Sequence, residues 1–306
     1  MRVRLDVHQH LWTDALVDAL ESRACLPFVR RNGERRVSIY VAGEAPSLLD
    51  LAGEAAVHRR ALLDRDGVDG ALIAISSPLG IEALPREEAS ELIEAHLTGV
   101  EALGEPFGSW GPVPLDRLCA ADVDAVLERG CVGISLPAGA FASPHALQQL
   151  DDALARTEAL DAPLFIHPGP GIAQRSAECS LNDPLWWPAL TDYVAQMQAA
   201  WLAFTTLVRR DHPKLRVVFA MLAGGAPLLS ERLEARGGPP IDLEDPRTYY
   251  EISSYGSVAI GAMARRVGSG QLLYGSDRPV VEPLTAAAPF LDTNAAWLLE
   301  RSEVVV

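Results

Sequence analysis

Eight short β-prone runs, each separated from the next by a longer Ala-, Leu- and Glu-rich stretch, constrain this chain more than any other feature. They are Val3–Val7, Gly70–Ile75, Phe107–Val113, Cys131–Leu136, Pro163–His167, Leu215–Ala220, Thr248–Ile252 and Gln271–Tyr274. Between them lie segments such as "SLLDLAGEAAVHRRALLDRDG", "REEASELIEAHLTGVEAL" and "PHALQQLDDALARTEALD", which read as helices. Strands alternating with helices imply parallel βαβ units. Eight of them predict a closed α/β (β/α)8 barrel, and 306 residues suit one such domain with insertions. No shift in composition marks a second domain.

One segment breaks the alternation. Residues 21–41 carry two β-prone pieces around Asn32-Gly33, a two-residue hairpin signal. They predict a β-hairpin inserted after the first strand, over the barrel mouth or at a subunit contact. The ending "AAWLLERSEVVV" reads as a last helix and tail.

Charge and composition remove several function classes. The net charge of −15, with no Lys/Arg-rich patch, argues against nucleic acid and anionic membranes. No apolar run approaches the ~20 residues of a membrane span, and "MRVRLDVHQH" is no signal peptide. The four cysteines form no CxxC pair, so a reduced, cytoplasmic setting is expected. Lys214 is the sole lysine and opens the sixth strand, at the end away from a barrel's active site. Lysine Schiff-base and P-loop chemistry are therefore excluded.

Barrel active sites gather at the C-terminal ends of the strands. There the first strand offers His8 and His10 in "DVHQHLW", the fifth His167 in "LFIHPGP", and the eighth Asp277 in "LLYGSDRP". His8 and His10, two apart on a strand, share a face. Three imidazoles and one carboxylate suit one divalent ion with an open position for water. Zn²⁺ is the first expectation, with Mn²⁺, Fe²⁺ and Co²⁺ admitted by the same donors. His58, His96 and His145 fall in helical segments, and His212 precedes the sixth strand, at the wrong end.

"DVHQHLW", "LFIHPGP", the glycine pair of "FAMLAGGAPLLSER" and "YGSDRP" together resemble the amidohydrolase superfamily. The nearer likeness is to its amidohydrolase-related branch of aminocarboxymuconate-semialdehyde decarboxylase-like enzymes and small-molecule lactonases. The resemblance covers nearly the whole chain and implies a mononuclear site on His8, His10, His167 and Asp277. Binuclear members use a carbamylated lysine on the fourth strand, where this chain has Ser135. The branch also carries a histidine before the glycine pair on the sixth strand, and here Met221 stands in its place. Methionine does no acid–base work.

These residues leave three readings open. The first is a hydrolase of a small carboxylate, amide or lactone, using metal-activated water with Asp277 as ligand and proton carrier. The second is a non-oxidative decarboxylase, and the third a barrel kept for binding after losing catalysis. For substrate contacts, Arg278 is expected to grip a carboxylate, or to pair with Glu282 instead. Arg175 is a weaker candidate. Trp12, Trp186 and Trp187 could wall the mouth, Ser253 and Tyr255 could add hydrogen bonds, and Met221 could line an apolar pocket. Arg232 resembles the branch's intersubunit arginine, which makes a homodimer an expectation.

Overall fold

In the computed structural model, residues 4–172 and 184–284 are described, together with Ala295 and Trp297. Arg175 and most of the expected final helix lie outside the described residues.

The chain runs through β1 (Leu5–Gln9), α1 (Asp14–Glu21), β2 (Phe28–Arg31), β3 (Arg36–Tyr40) and β4 (Ser47–Asp50), then α2 (Ala56–Asp66) and β5 (Gly70–Ile73). Next come α3 (Arg86–Glu101), β6 (Phe107–Ser109), β7 (Gly111–Pro112), α4 (Ala120–Glu128), β8 (Ile134–Pro137), α5 (Pro144–Ala159) and β9 (Leu164–His167). Then follow α6 (Trp186–Leu190), α7 (Asp192–Ala203), α8 (Arg209–Asp211), β10 (Val217–Phe219), α9 (Ser230–Ala235), β11 (Thr248–Glu251), α10 (Ser257–Val267) and β12 (Leu272–Leu273).

All eight expected barrel strands are present, β6 and β7 being one strand interrupted at Trp110. β1, β5 and β6 form one parallel set, and β7 to β12 pair in sequence order as another. The ring closes where Val7 N donates to Tyr274 O at 2.9 Å and His10 N to Arg278 O at 2.6 Å. The strands are buried runs of Val, Ile, Leu and Phe, as a sheet covered on both faces requires. Inside the barrel, Trp110 stacks on Phe165 at 5.0 Å, and Phe165 meets the His8 ring at 5.1 Å. That aromatic layer is a packed floor beneath the strand ends.

Local chemistry sets the helix boundaries. Thr13 caps α1 by accepting from Leu16 N. Ser143 does the same for α5, with Pro144 at the first helical position. Gly67, at φ +68°, ends α2. Among the described residues no helix is long and apolar enough to cross a membrane.

The insertion is larger than the expected hairpin. β2 and β3 pair antiparallel, but Asn32 N donates to Arg36 O, so three residues rather than two make the turn. β4 adds a third strand against β3. This corrects the reading of "SLLD" as helical: Leu48 and Leu49 alternate exposed and half-buried along an edge strand, and α2 starts only at Ala56. Lys214 is exposed just before β10, at the expected end, and its N–H reaches Glu158.

Candidate metal centre

His8, His10, His167 and Asp277 come together. Each offers one ligand atom, all within 4.8 Å of one another, and all four residues are buried. β1 carries its pair through an irregular register against β5 between Asp6 and Gln9. Buried Asp6 anchors that stretch, accepting from His8 N at 3.2 Å, Gln9 Nε2 at 2.7 Å and Ser276 N at 3.0 Å. The same carboxylate thus ties the His-bearing strand to the loop that carries Asp277. Asp277 sits at φ +55°, where backbone strain is stored, and its N–H donates to His8 O at 2.9 Å.

The imidazoles are set by what their Nδ1 atoms meet. His8 Nδ1 lies 3.1 Å from Glu251 Oε2, His10 Nδ1 2.9 Å from Ala74 O, and His167 Nδ1 2.8 Å from Pro168 O. A carbonyl or carboxylate oxygen only accepts, so each Nδ1 carries the hydrogen and each neutral ring turns a bare Nε2 inward. His8 Nε2 and His10 Nε2 are 3.2 Å apart; Asp277 Oδ1 is 3.2 Å from His10 Nε2 and 3.6 Å from His8 Nε2. Donor atoms ~2.1 Å from a tetrahedral ion stand roughly 3.4 Å apart, so these separations fit one ion. Lone pairs this close repel unless a cation lies between them.

Without a metal, that demand falls on protons. Burial opposes charge on His8, but the carboxylates of Glu251 and Asp277 outweigh it and hold its pKa above the ordinary value. His167 goes the other way, held well below by burial and then by the neighbouring His8 and His10.

Glu251, at the end of β11, joins the group although its sequence position does not mark it as a site residue. It is fully buried and accepts from His8 Nδ1, from Ser253 N and Oγ, and from Met221 N. Gly275 makes room for it, since a Cβ there would stand 2.3 Å from Glu251 Oε1. The available signal was an acid inside an otherwise β-prone run, "TYYEIS".

The other candidates sit as follows. Arg278 is buried in ion pairs with Asp66 Oδ2 and Glu282 Oε2, each at 3.0 Å, so its guanidinium is engaged on the α2 side. Ser253 spends its hydrogen on Glu251, and Tyr255 lies beside it, half-buried. Met221 is half-buried and contributes its backbone N–H. Trp12 lies between α1, α3 and the chain before α2, where its backbone N–H donates to Glu54 Oε2. Trp186 and Trp187 are more than half exposed on α6. Arg232 is exposed on α9.

A cleft of about 530 Å³ begins at Gly169–Gly171, just past His167. The loop after β3 and the start of α7 also line it, with Glu44 and Tyr193. The insertion therefore borders the mouth, the first of its two expected positions.

No family model matches the sequence, and no curated protein resembles it in sequence. Solved structures do match. The apo form of Metarhizium anisopliae IDCase is 17% identical, with a TM-score of 0.75 over 98% of each chain. A 5-carboxyvanillate decarboxylase from Novosphingobium aromaticivorans, complexed with manganese and 4-hydroxy-3-methoxy-5-nitrobenzoic acid, is 16% identical. Its TM-score is 0.69, over 98% of this chain and 96% of that one. A crystal structure of an amidohydrolase II is 18% identical, with a TM-score of 0.66 over 93% of this chain and 89% of that one. In fold the chain is thus similar, over nearly its whole length, to these three proteins, among them a 5-carboxyvanillate decarboxylase and an amidohydrolase II.

Proposed function

We propose that the protein is a non-oxidative decarboxylase of a small carboxylic acid, working with one divalent metal ion on His8, His10, His167 and Asp277. The convergence of three bare Nε2 atoms on the Asp277 carboxylate carries this reading. The likeness in fold to a 5-carboxyvanillate decarboxylase holding manganese supports it and puts Mn²⁺ beside Zn²⁺ as the ion.

A bound divalent ion would supply positive charge to hold the substrate's carboxylate and offset the charge that develops as carbon dioxide leaves. The rest falls to the chain. Decarboxylation needs one proton delivered to the carbon that loses CO₂: the C–C bond breaks, its electron pair stays on that carbon, and a C–H bond forms. Asp277 would deliver a proton taken up from solvent and be reloaded from it. Hydrolysis, the first expectation from sequence, needs a base for water as well as an acid for the leaving group. Met221 occupies the position where the resembled branch keeps its histidine. That loss is what puts hydrolysis first from sequence, because decarboxylation by the resembled branch's route needs a replacement for the histidine; direct protonation of the carbon by Asp277 needs none.

The test is to load the protein with Mn²⁺ or Zn²⁺ and incubate it with aromatic and unsaturated carboxylic acids, and with their amides and lactones, in ¹⁸O-water. CO₂ release with no ¹⁸O in the organic product, lost in Asp277→Asn, is expected. ¹⁸O-labelled product without CO₂ restores the hydrolase.

A further inference from the structure

The cleft beside Gly169–Gly171 has two unlike kinds of lining. Leu26, Pro27, Leu79 and Leu84 are apolar. The same lining includes Tyr193 at the start of α7, which donates its hydroxyl hydrogen to Glu44 Oε1, in the loop that follows β3. Among the described residues lining the cleft there is no arginine or lysine.

Hydrogen counting gives this pair a definite character. Tyr193 has one hydroxyl hydrogen and spends it on Glu44. While Glu44 is ionised, what remains on the pair is a phenol lone pair and the second carboxylate oxygen, and both only accept. Both residues are half-buried, so a ligand that covers them without a donor leaves them unpaired. A site built to hydrogen-bond a ligand's OH or NH rejects the analogue that lacks it. Burial, and then the charge of Asp192, raises the pKa of Glu44. Burial, then the charges of Glu44 and Asp277, raises that of Tyr193.

We propose that Glu44, positioned by Tyr193, is the specificity-determining group of this cleft, selecting carboxylic acids that carry a hydroxyl or amino donor at the end away from the carboxylate. This rests on the reading that the four-ligand group takes the carboxylate end. The insertion thereby has a role: it brings to the barrel mouth an acceptor that no barrel strand supplies.

The experiment is calorimetric titration of the Mn²⁺-loaded full chain with benzoate, 4-hydroxybenzoate and 4-aminobenzoate. Wild type is expected to bind the two donor-bearing acids at least ~10-fold more tightly than benzoate. Glu44→Ala should shrink the preference below ~3-fold with the Kd for benzoate and for Mn²⁺ unchanged. Tyr193→Phe should give an intermediate preference, since Glu44 keeps its charge and loses its anchor. If Glu44→Ala fails to fold, Glu44→Gln replaces it; with one acceptor left on its side chain it should lose part of the preference. A wild type with no preference, a preference that survives Glu44→Ala, an equal loss for all three acids, or no binding of any acid overturns the inference. CO₂ release is measured separately. Release without donor preference overturns this inference alone, whereas donor preference without release supports it and removes the decarboxylase reading.

Discussion

Glu251 Oε2 lies 3.1 Å from His8 Nδ1, and both side chains are wholly excluded from solvent. The pair joins the seventh barrel strand to the first and fixes which nitrogen of His8 faces the centre. A partner behind a ligating histidine typically contributes 10–100-fold in metal affinity. Glu251→Gln keeps an acceptor for Ser253 and Met221 but removes the charge behind the imidazole. It should weaken Mn²⁺ or Zn²⁺ binding by about tenfold or more, read by competition with a chelating dye. An unchanged affinity in a folded variant would show that Glu251 serves packing alone.

The Arg278 guanidinium is held by Asp66 and Glu282, the second of the two roles that its position beside Asp277 suggests. Removing one member of a buried pair leaves the other charge uncompensated. Asp66 keeps some exposure, so the loss should fall below the ~3–5 kcal/mol of a fully buried pair, at about 2 kcal/mol. Arg278→Met should therefore lower the urea midpoint while leaving KM for any carboxylate substrate within about threefold. A rise in KM of tenfold or more with stability intact would return Arg278 to the substrate.

Glu82 is fully buried after β5; its Oε1 accepts from Ser77 Oγ and its Oε2 has no partner. Burial pushes its pKa from 4.5 up to about 7. The folded state thus holds this proton more tightly than the unfolded chain does. Its contribution to stability is complete below pH 4.5 and is lost as pH rises to about 7, a change of order 3 kcal/mol. Glu82→Gln, which has no proton to lose, should flatten the decline. Urea unfolding at pH 5 and pH 8 measures it, and parallel declines in the two proteins would rule Glu82 out as the cause.

The parts legible in the sequence are those that depend on periodicity and residue type. Eight β-prone runs located the strands, and strand-end position alone separated His8, His10 and His167 from the other four histidines. His96 illustrates the limit: it is as buried as the ligands, and burial drops its pKa to about 3, but it sits on α3 with both ring nitrogens unpartnered. Pairings across the fold were not legible. Asp66 as partner for Arg278, Glu251 behind His8 and Glu44 against Tyr193 each join residues more than 140 positions apart. Composition misled at "SLLD", where leucines suited to a helix pair along the edge of an antiparallel sheet.

"MLAGG" hid a backbone that the glycine pair only half announced. Met221 to Gly225 all have positive φ, between +50° and +76°, a full left-handed turn with three non-glycine residues in it. Each such residue costs about 1–2 kcal/mol. The turn is held by Met221 N on Glu251, Ala223 N on Ala220 O, and Gln198 Nε2 on Gly224 O. Two substitutions here should act with opposite sign. Ala223→Gly relieves the left-handed cost and adds ~0.5–1 kcal/mol of chain entropy, for a net gain of up to about 1 kcal/mol. Gly224→Ala forces a Cβ to within 2.8 Å of Val194 O at φ +61° and should lose about 2 kcal/mol or more. Urea midpoints of the two variants against wild type test this; a loss in both of the same size would mean that the turn stores no strain.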